Sequence, residues 1–264
     1  MIFGLDIGNT TITAGIIHRS KVSHSWRLST DVNRTSDEYA LLIRQLINSI
    51  PDIEIEGSVV SSVVPPVLTG VVKSLKNVFG KEPFLVQPGI TLSFDILYNK
   101  PQDVGADRIV NAVAAKRLYG YPLIVVDFGT ATTFCVLNGN GNYCGGIIFP
   151  GINTISNALY DKAALLPRIA LEKPQKVIGI STISSIQSGL FFGYLDMING
   201  LIHRIHNEQK DITKVVATGG LAEMYFEYSE LITDLEPHLT LIGLEDIVNL
   251  NMEPCPEHFV WKSL

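Results

Sequence analysis

Two aspartates occupy matching places in the 264-residue chain. Asp6 closes the apolar run Ile2-Phe3-Gly4-Leu5 and is followed by Gly8-Asn9-Thr10; Asp127 closes Leu123-Ile124-Val125-Val126 and is followed by Gly129-Thr130. A tight glycine-containing turn exposes backbone N–H groups that no Cβ screens. Such groups bind phosphate oxygens, and Thr10 or Thr11 adds a hydroxyl donor. A carboxylate at the strand end suits hydrated Mg2+, which takes carboxylate together with water and substrate phosphates. Taken singly, either turn reads as well as a hairpin capped by an Asx hydrogen bond. Two copies facing one cleft favour phosphate binding.

The elements that must carry these residues repeat as well. Ile2–Asp6, Thr11–Ile17 and Lys21–Leu28 read as three strands of a meander. A helix over 35–49 follows, with Thr35 or Ser36 as N-cap ahead of Asp37 and Glu38. Next come a strand at Ser58–Ser61, a helix opened by Pro65-Pro66 and running to Phe79, and a strand at Phe84–Val86. Residues 91–104 form an excursion that leads into a helix over Gly105–Tyr119. The pattern then restarts: a buried strand ends at Asp127, and Thr132–Leu137 and Tyr143–Phe149 make a hairpin across Asn138-Gly139-Asn140-Gly141. A helix from Gly151 or Asn153, a long helix over Thr182–Asn207, a strand at Lys214–Ala217, a Gly219-Gly220 turn and a short helix complete the reading. The diglycine turn allows close approach by a flat ligand such as adenine, or simply meets a need for positive φ. A duplicated strand-hairpin-strand-helix unit predicts two α/β domains facing across a cleft, 1–120 and 121–264.

Composition narrows the class. The chain is 46% hydrophobic and carries a formal charge of −6, with 20 Lys+Arg against 26 Asp+Glu, which disfavours general nucleic-acid binding. No apolar run reaches the roughly 18–20 residues of a membrane span, and no secretory leader is recognisable. Cys135, Cys144 and Cys255 lack CxxC spacing, so reduced thiols and a cytoplasmic setting are expected; Cys135 and Cys144 flank the turn, where a hairpin could set them face to face. The six histidines form no ligand pattern; His203 and His206, three apart on the long helix, read as a solvated helix end. Walker, GxGxxG, HExxH, GxSxG and protein-kinase signatures are absent. Gly189, Gly193 and Gly200 share one face of the long helix, where each costs about 0.8–1 kcal/mol relative to alanine. Such a face asks for close backbone approach, either to the chain's own sheet or to a second copy.

Asp-Ile-Gly-Asn-Thr (6–10), Gly-Ala-Asp-Arg (105–108), Asp-Phe-Gly-Thr-Ala-Thr-Thr (127–133), Gly-Gly-Ile-Ile-Phe-Pro-Gly (145–151) and Thr-Gly-Gly (218–220) occur in this order. Over roughly residues 2–250 the chain resembles the type III pantothenate kinase family, within the acetate kinase, sugar kinase and actin superfamily. The resemblance implies duplicated ribonuclease H-like (actin-like) domains and ATP-dependent phosphorylation of the 4′-hydroxyl of pantothenate, the first step towards coenzyme A. It implies that Asp6, Ile7, Gly8, Asn9, Thr10, Thr11, Ile12 and Thr13 form a first phosphate loop, with Asp6 near Mg2+, directly or through water. Thr130 is then a phosphate contact and Asp127 a ligand of a monovalent cation, K+ or NH4+. Tyr98, Gly105, Ala106, Asp107 and Arg108 form the acceptor segment with Asp107 as general base. Thr182 would be a substrate contact supplied across a homodimer interface.

One position departs from the family pattern. Residues 11–14 are Thr-Ile-Thr-Ala, without the lysine that some members carry there, so nucleotide affinity is expected to rest on backbone donors and metal. Asp107, at a helix start beside Arg108, is expected to have a lowered pKa; Arg108 would meet either the substrate carboxylate or the transferring phosphoryl group. Two other readings stand beside this one: a kinase or phosphohydrolase with another polyol-like acceptor, and a non-catalytic nucleotide binder that regulates a partner or transcription.

Overall fold

The computed structural model describes residues 1–163, 166–252 and 259–260. The first strands are β1 (Ile2–Ile7), β2 (Thr11–His18) and β3 (Lys21–Ser29), followed by α1 (Ser36–Asn48), β4 (Gly57–Ser62), α2 (Pro65–Phe79) and β5 (Phe84–Leu85). β1 and β2 pair antiparallel, as do β2 and β3, whereas β4 returns parallel to β1 and β5 parallel to β4. The sheet order is β3-β2-β1-β4-β5. Phe3, Leu5 and Ile7 of β1 and Ile12, Ala14 and Ile16 of β2 are buried, and they meet Val67, Val71 and Leu75 of α2 in one core. α1 begins with a complete capping box: Glu38 N–H donates to Thr35 Oγ1 at 3.3 Å, and Thr35 N–H donates to the Glu38 carboxylate at 2.7 Å. The expected N-cap at 35 or 36 is Thr35.

The excursion after β5 contains β6 (Thr91–Leu92) and a 3-10 turn over Pro101–Asp103, and it leads into α3 (Ala106–Tyr119). The second sheet is built from β7 (Leu123–Phe128), β8 (Ala131–Leu137), β9 (Tyr143–Pro150), β10 (Lys214–Gly219) and β11 (Asp234–Leu235). α4 (Ile152–Lys162) and α5 (Thr182–Glu208) precede β10, and α6 (Ala222–Phe226) follows it. Its order, β9-β8-β7-β10-β11, is that of the first sheet strand for strand, with β10 parallel to both β7 and β11. The duplicated α/β fold is therefore present in strand order and direction as well as in the Asp-x-Gly turns.

The chain divides into two compact units: Met1–Gly120, Gly141–Gly145 and the described residues from His238 form the first, and Tyr121–Asn140 and Gly146–Pro237 the second. The C-terminal part is α7 (Leu239–Met252), an element absent from the sequence reading. α7 is fastened to the first unit by two buried carboxylates. Glu245 accepts the N–H groups of Arg19 and Ser20 at the β2–β3 turn, at 2.9 and 2.6 Å. Asp246 accepts from Arg117 Nε at 2.7 Å, and the same guanidinium donates to Ser20 Oγ at 2.8 Å. Gly243 lies so close to Val110 that a Cβ there would stand 2.2 Å from its carbonyl oxygen, which makes glycine a packing requirement of the α3–α7 crossing. A short pairing of β12 (Phe259–Val260) with β6 lies beyond α7.

Among the described residues no helix is long and apolar enough to cross a membrane. Cys135 is buried and Cys144 half-buried, both as free thiols, and Cys255 lies outside the described residues, as does His258.

Candidate active site

In the first unit, strand pairing determines what surrounds Asp6. Its cross-strand neighbours are Thr13 on β2 and Ser61 on β4. Directly paired residues point to the same face of a sheet, so a row of hydroxyl, carboxylate and hydroxyl crosses three strands. Ser61, fully buried, donates its hydroxyl to Asp6 Oδ1 at 2.5 Å. The turn beyond is held from the side: Thr30 Oγ1 donates to Gly8 O at 2.7 Å, Thr30 N–H to Thr10 O at 3.0 Å, and Gly8 N–H to Thr11 O at 3.1 Å. Asn9 and Thr10 are exposed, whereas Ile7 and Ile12 are fully buried. Of the loop residues nominated from sequence, these two isoleucines have only backbone groups to offer a ligand.

The second unit repeats the row. Asp127 pairs with Thr133 on β8 and with Thr218 on β10. Ser61, Thr133 and Thr218 are not among the nominated site residues, although Thr133 and Thr218 stand in the motifs 127–133 and 218–220; the signal for Ser61 is that Val59-Val60-Ser61 and Val216-Ala217-Thr218 are equivalent strand endings of the duplicated unit. Around Asp127 the glycines are required by contact. Gly219 has φ +94°, and a Cβ there would lie 2.5 Å from Asp127 Oδ1 and 2.7 Å from Phe128 N. Gly151, at the start of α4, would bring a Cβ within 2.3 Å of Gly129 O and 2.6 Å of Thr130 O. Instead Gly151 N–H donates to Thr130 O at 3.0 Å and Thr154 Oγ1 donates to the same oxygen at 2.8 Å. Gly129 and Thr130 are exposed at the tip.

The acceptor candidates lie together in the first unit. Gly105 caps α3 with φ −58° and ψ 142° and no side-chain bond, and Ala106 is buried behind it. The half-buried Asp107 accepts Arg108 N–H on Oδ1 at 2.8 Å. A Cβ on Gly105 would stand 2.5 Å from that same oxygen, so the absence of a side chain at 105 leaves room for the carboxylate. Arg108 reaches Tyr143 Oη with Nη1 and Asp103 O with Nη2, each at 3.5 Å. Tyr143, buried and not nominated from sequence, donates its N–H to Asp95 O at 3.0 Å and accepts from Leu97 N–H at 2.8 Å. It thereby joins the segment carrying Tyr98 to the start of α3. Tyr98 is 38% exposed, with its ring beside Gly145.

The electrostatics of Asp107 reverse the expectation. The Arg108 N–H and guanidinium favour its charged form, but removal from water outweighs them and pushes its pKa above the ordinary carboxylate value. Sequence shows the helix start and the neighbouring arginine but not the exclusion of solvent.

Thr182 lies elsewhere, as the first residue of α5 in the second unit, exposed behind the capping pair Ser181 and Ser184. It borders an open depression of about 620 Å3 formed with Gly179, Ile180, Ser185 and Ile186. The three glycines of α5 also diverge from one of the two expectations. A Cβ on Gly189, Gly193 or Gly200 would meet nothing within 4 Å, so close packing on the chain's own sheet does not explain them.

The type III pantothenate kinase family matches residues 2–204. The chain belongs to this kinase family. The match spans every nominated site residue and stops before Thr218-Gly219-Gly220, short of the expected 250. Solved structures share the fold at low identity. A protein from Campylobacter jejuni described as a candidate Baf family transcriptional activator is 20% identical, with TM-score 0.61, covering 95% of this chain and 98% of that one. The ethanolamine utilization protein EutJ from Carboxydothermus hydrogenoformans is 15% identical with TM-score 0.54, covering 93% and 88%. A ROK hexokinase from Thermus thermophilus is 14% identical with TM-score 0.51, covering 95% and 98%. These similarities show the actin-like fold of this chain.

Proposed function

We propose that this kinase transfers the γ-phosphoryl group of ATP to the 4′-hydroxyl of pantothenate, the first step of coenzyme A biosynthesis, in the cytoplasm. The observation that carries the reading is the desolvated Asp107, held against the start of α3 beside Arg108 in a chain of this family. The substrate hydroxyl oxygen bonds to the γ-phosphorus as the bond from that phosphorus to the bridging oxygen breaks and ADP departs. Asp107 orients the hydroxyl and takes its proton. The transition state of such transfers is loose, so positioning and charge neutralisation dominate over proton abstraction. A carboxylate with a raised pKa is nonetheless a better base than an ordinary one.

The two Asp-Gly turns supply the phosphate donors, backbone N–H groups with the hydroxyls of Thr10, Thr11 and Thr13 in one turn and of Thr130 in the other, and Asp6 meets the phosphates through Mg2+. The donor sets fit the expected cations: a strand-end carboxylate steadied by the Ser61 hydroxyl suits hydrated Mg2+, and Asp127 between two threonines suits K+ or NH4+. Bound there, these cations would neutralise phosphate charge. Tyr98, Gly105 and Arg108 recognise the acceptor, and Thr182 reaches it from the partner of a homodimer. The open glycine face of α5 and the exposed Ile180 and Ile183 support that assembly.

The test is ADP release from Mg·ATP with and without pantothenate, repeated with and without K+. Pantothenate-dependent release stimulated by K+ or NH4+ is expected. Release with another hydroxyl acceptor but not with pantothenate overturns the substrate. Indifference to both cations overturns the role of Asp127 and leaves the kinase reading standing.

A further inference from the structure

The two phosphate turns are held by different means. The first is braced within its own sheet, by Thr30 at the end of β3. The second is braced by helices, and one side chain ties α5 to it. Tyr194, halfway along α5 and 4% exposed, shares a hydrogen bond with Thr132 Oγ1, which is fully buried. Thr132 pairs with Phe128 and so forms the rung that closes the Gly129-Thr130 turn. The Tyr194 ring also meets Phe149, three residues ahead of Ile152, the first residue of α4. That helix start in turn grips the tip of the turn through Gly151 N–H and Thr154 Oγ1 on Thr130 O. The tyrosine ring is confined by Tyr225 and Phe149, with centroids at 5.2 and 6.4 Å, so its hydroxyl has little freedom to leave.

We propose that Tyr194 is a positioning residue for the second phosphate turn, through which α5 sets nucleotide affinity. The inference rests on the kinase reading for the identity of the ligand. The contact with Thr132 ends on the phenol oxygen, so Tyr194→Phe keeps the ring in place while leaving the Thr132 hydroxyl without this partner. The hairpin rung is then no longer held to α5, and the donors around Thr130 lose their alignment.

The test is direct titration of the full chain with a non-hydrolysable ATP analogue and Mg2+, beside steady-state kinetics with pantothenate. Tyr194→Phe is expected to weaken the analogue about tenfold, the scale of losing a buried hydrogen bond, and to leave the pantothenate KM within about twofold. Thr132→Val should match it, Tyr194→Phe/Thr132→Val should be no worse than either alone, and Thr132→Ser, which keeps the hydroxyl, should bind like the wild type. Nucleotide affinity unchanged in Tyr194→Phe, or losses that multiply in the double variant, overturn the proposal. Should Tyr194→Phe not fold, the contrast between Thr132→Val and Thr132→Ser decides it. A chain that binds the analogue but leaves pantothenate unphosphorylated refutes the proposed acceptor alone, because the titration does not depend on turnover.

Discussion

Gly105→Ala probes the acceptor site without altering any polar group. The Gly105 backbone has φ −58° and ψ 142°, which alanine adopts freely. Val63 Cγ1 would lie 3.6 Å from the new Cβ, an ordinary contact. The one close neighbour is Asp107 Oδ1 at 2.5 Å, and relieving that overlap requires the carboxylate to move by roughly half to one ångström. Rotation of the carboxylate away from the new Cβ strains or breaks its 2.8 Å bond from Arg108 N–H, which on the proposed reading aims the base. Stability should barely change. Alanine is a poorer N-cap than glycine by up to about 1 kcal/mol, and the restricted unfolded chain recovers about 0.4–1 kcal/mol. Displacing a catalytic group by about an ångström costs on the order of 100-fold. Steady-state kinetics should therefore show kcat down by that factor with a melting temperature within a few degrees of wild type. Gly105→Ala/Asp107→Asn should be no slower than Asp107→Asn, because both changes remove the same function. A Gly105→Ala enzyme within threefold of wild-type kcat would refute the placement of Asp107 as base.

Asp107→Asn should keep the fold and lose roughly 10²–10⁴-fold in rate. The acid limb of the wild-type kcat/KM profile should lie above the ordinary carboxylate range, because only ionised Asp107 accepts a proton and burial raises its pKa. Linkage gives the same residue a stability signature: the folded chain keeps this proton to higher pH than the unfolded one, so stability falls as pH rises from about 4 through the raised pKa. Denaturant melts should accordingly show Asp107→Asn gaining on wild type across that window, and parallel pH profiles would contradict the burial. Ser61→Ala deprives Asp6 of its hydroxyl donor and should raise the KM for Mg·ATP roughly tenfold, the scale of a hydrogen bond to a charged group, with the pantothenate KM unchanged; equal rises in both would place Ser61 in the fold rather than the site.

The features legible in sequence are those written in local spacing. The recurrence of Asp-x-Gly after a buried strand predicts the duplication, and the matching sheet orders confirm it. The N-cap of α1 and the β8–β9 hairpin follow from short-range chemistry for the same reason. α7 is different: Leu239, Leu241, Ile242, Gly243, Leu244, Glu245, Asp246, Ile247 and Val248 are all buried, so no apolar stripe with helical period marks it, and its carboxylates suggest a surface it does not have. Ser61 and Tyr194 acquire their roles from pairing across strands and from packing between helices, information that neighbours along the chain do not carry. The pKa of Asp107 belongs to this second group. Arg108 and the helix start are adjacent in sequence and lower it; the surroundings that exclude water come from the fold and prevail.

The glycine face of α5 separates the chain from its assembly. In an isolated chain, alanine at Gly189 or Gly193 meets nothing within 4 Å and removes a helix-weakening residue, so each substitution should stabilise the monomer by about 0.8–1 kcal/mol. If a second copy lies against this face, the same methyl groups hold the two backbones apart. The opposing signs make the experiment informative. Sedimentation is expected to find wild type dimeric and Gly189→Ala/Gly193→Ala dissociated, while the helix itself becomes more stable in the monomer. Loss of pantothenate turnover should accompany dissociation, because Thr182, at the start of the same helix, would no longer reach a partner's acceptor site. A variant that remains dimeric and gains stability would refute close approach of α5 to a second chain, and with it the role given to Thr182.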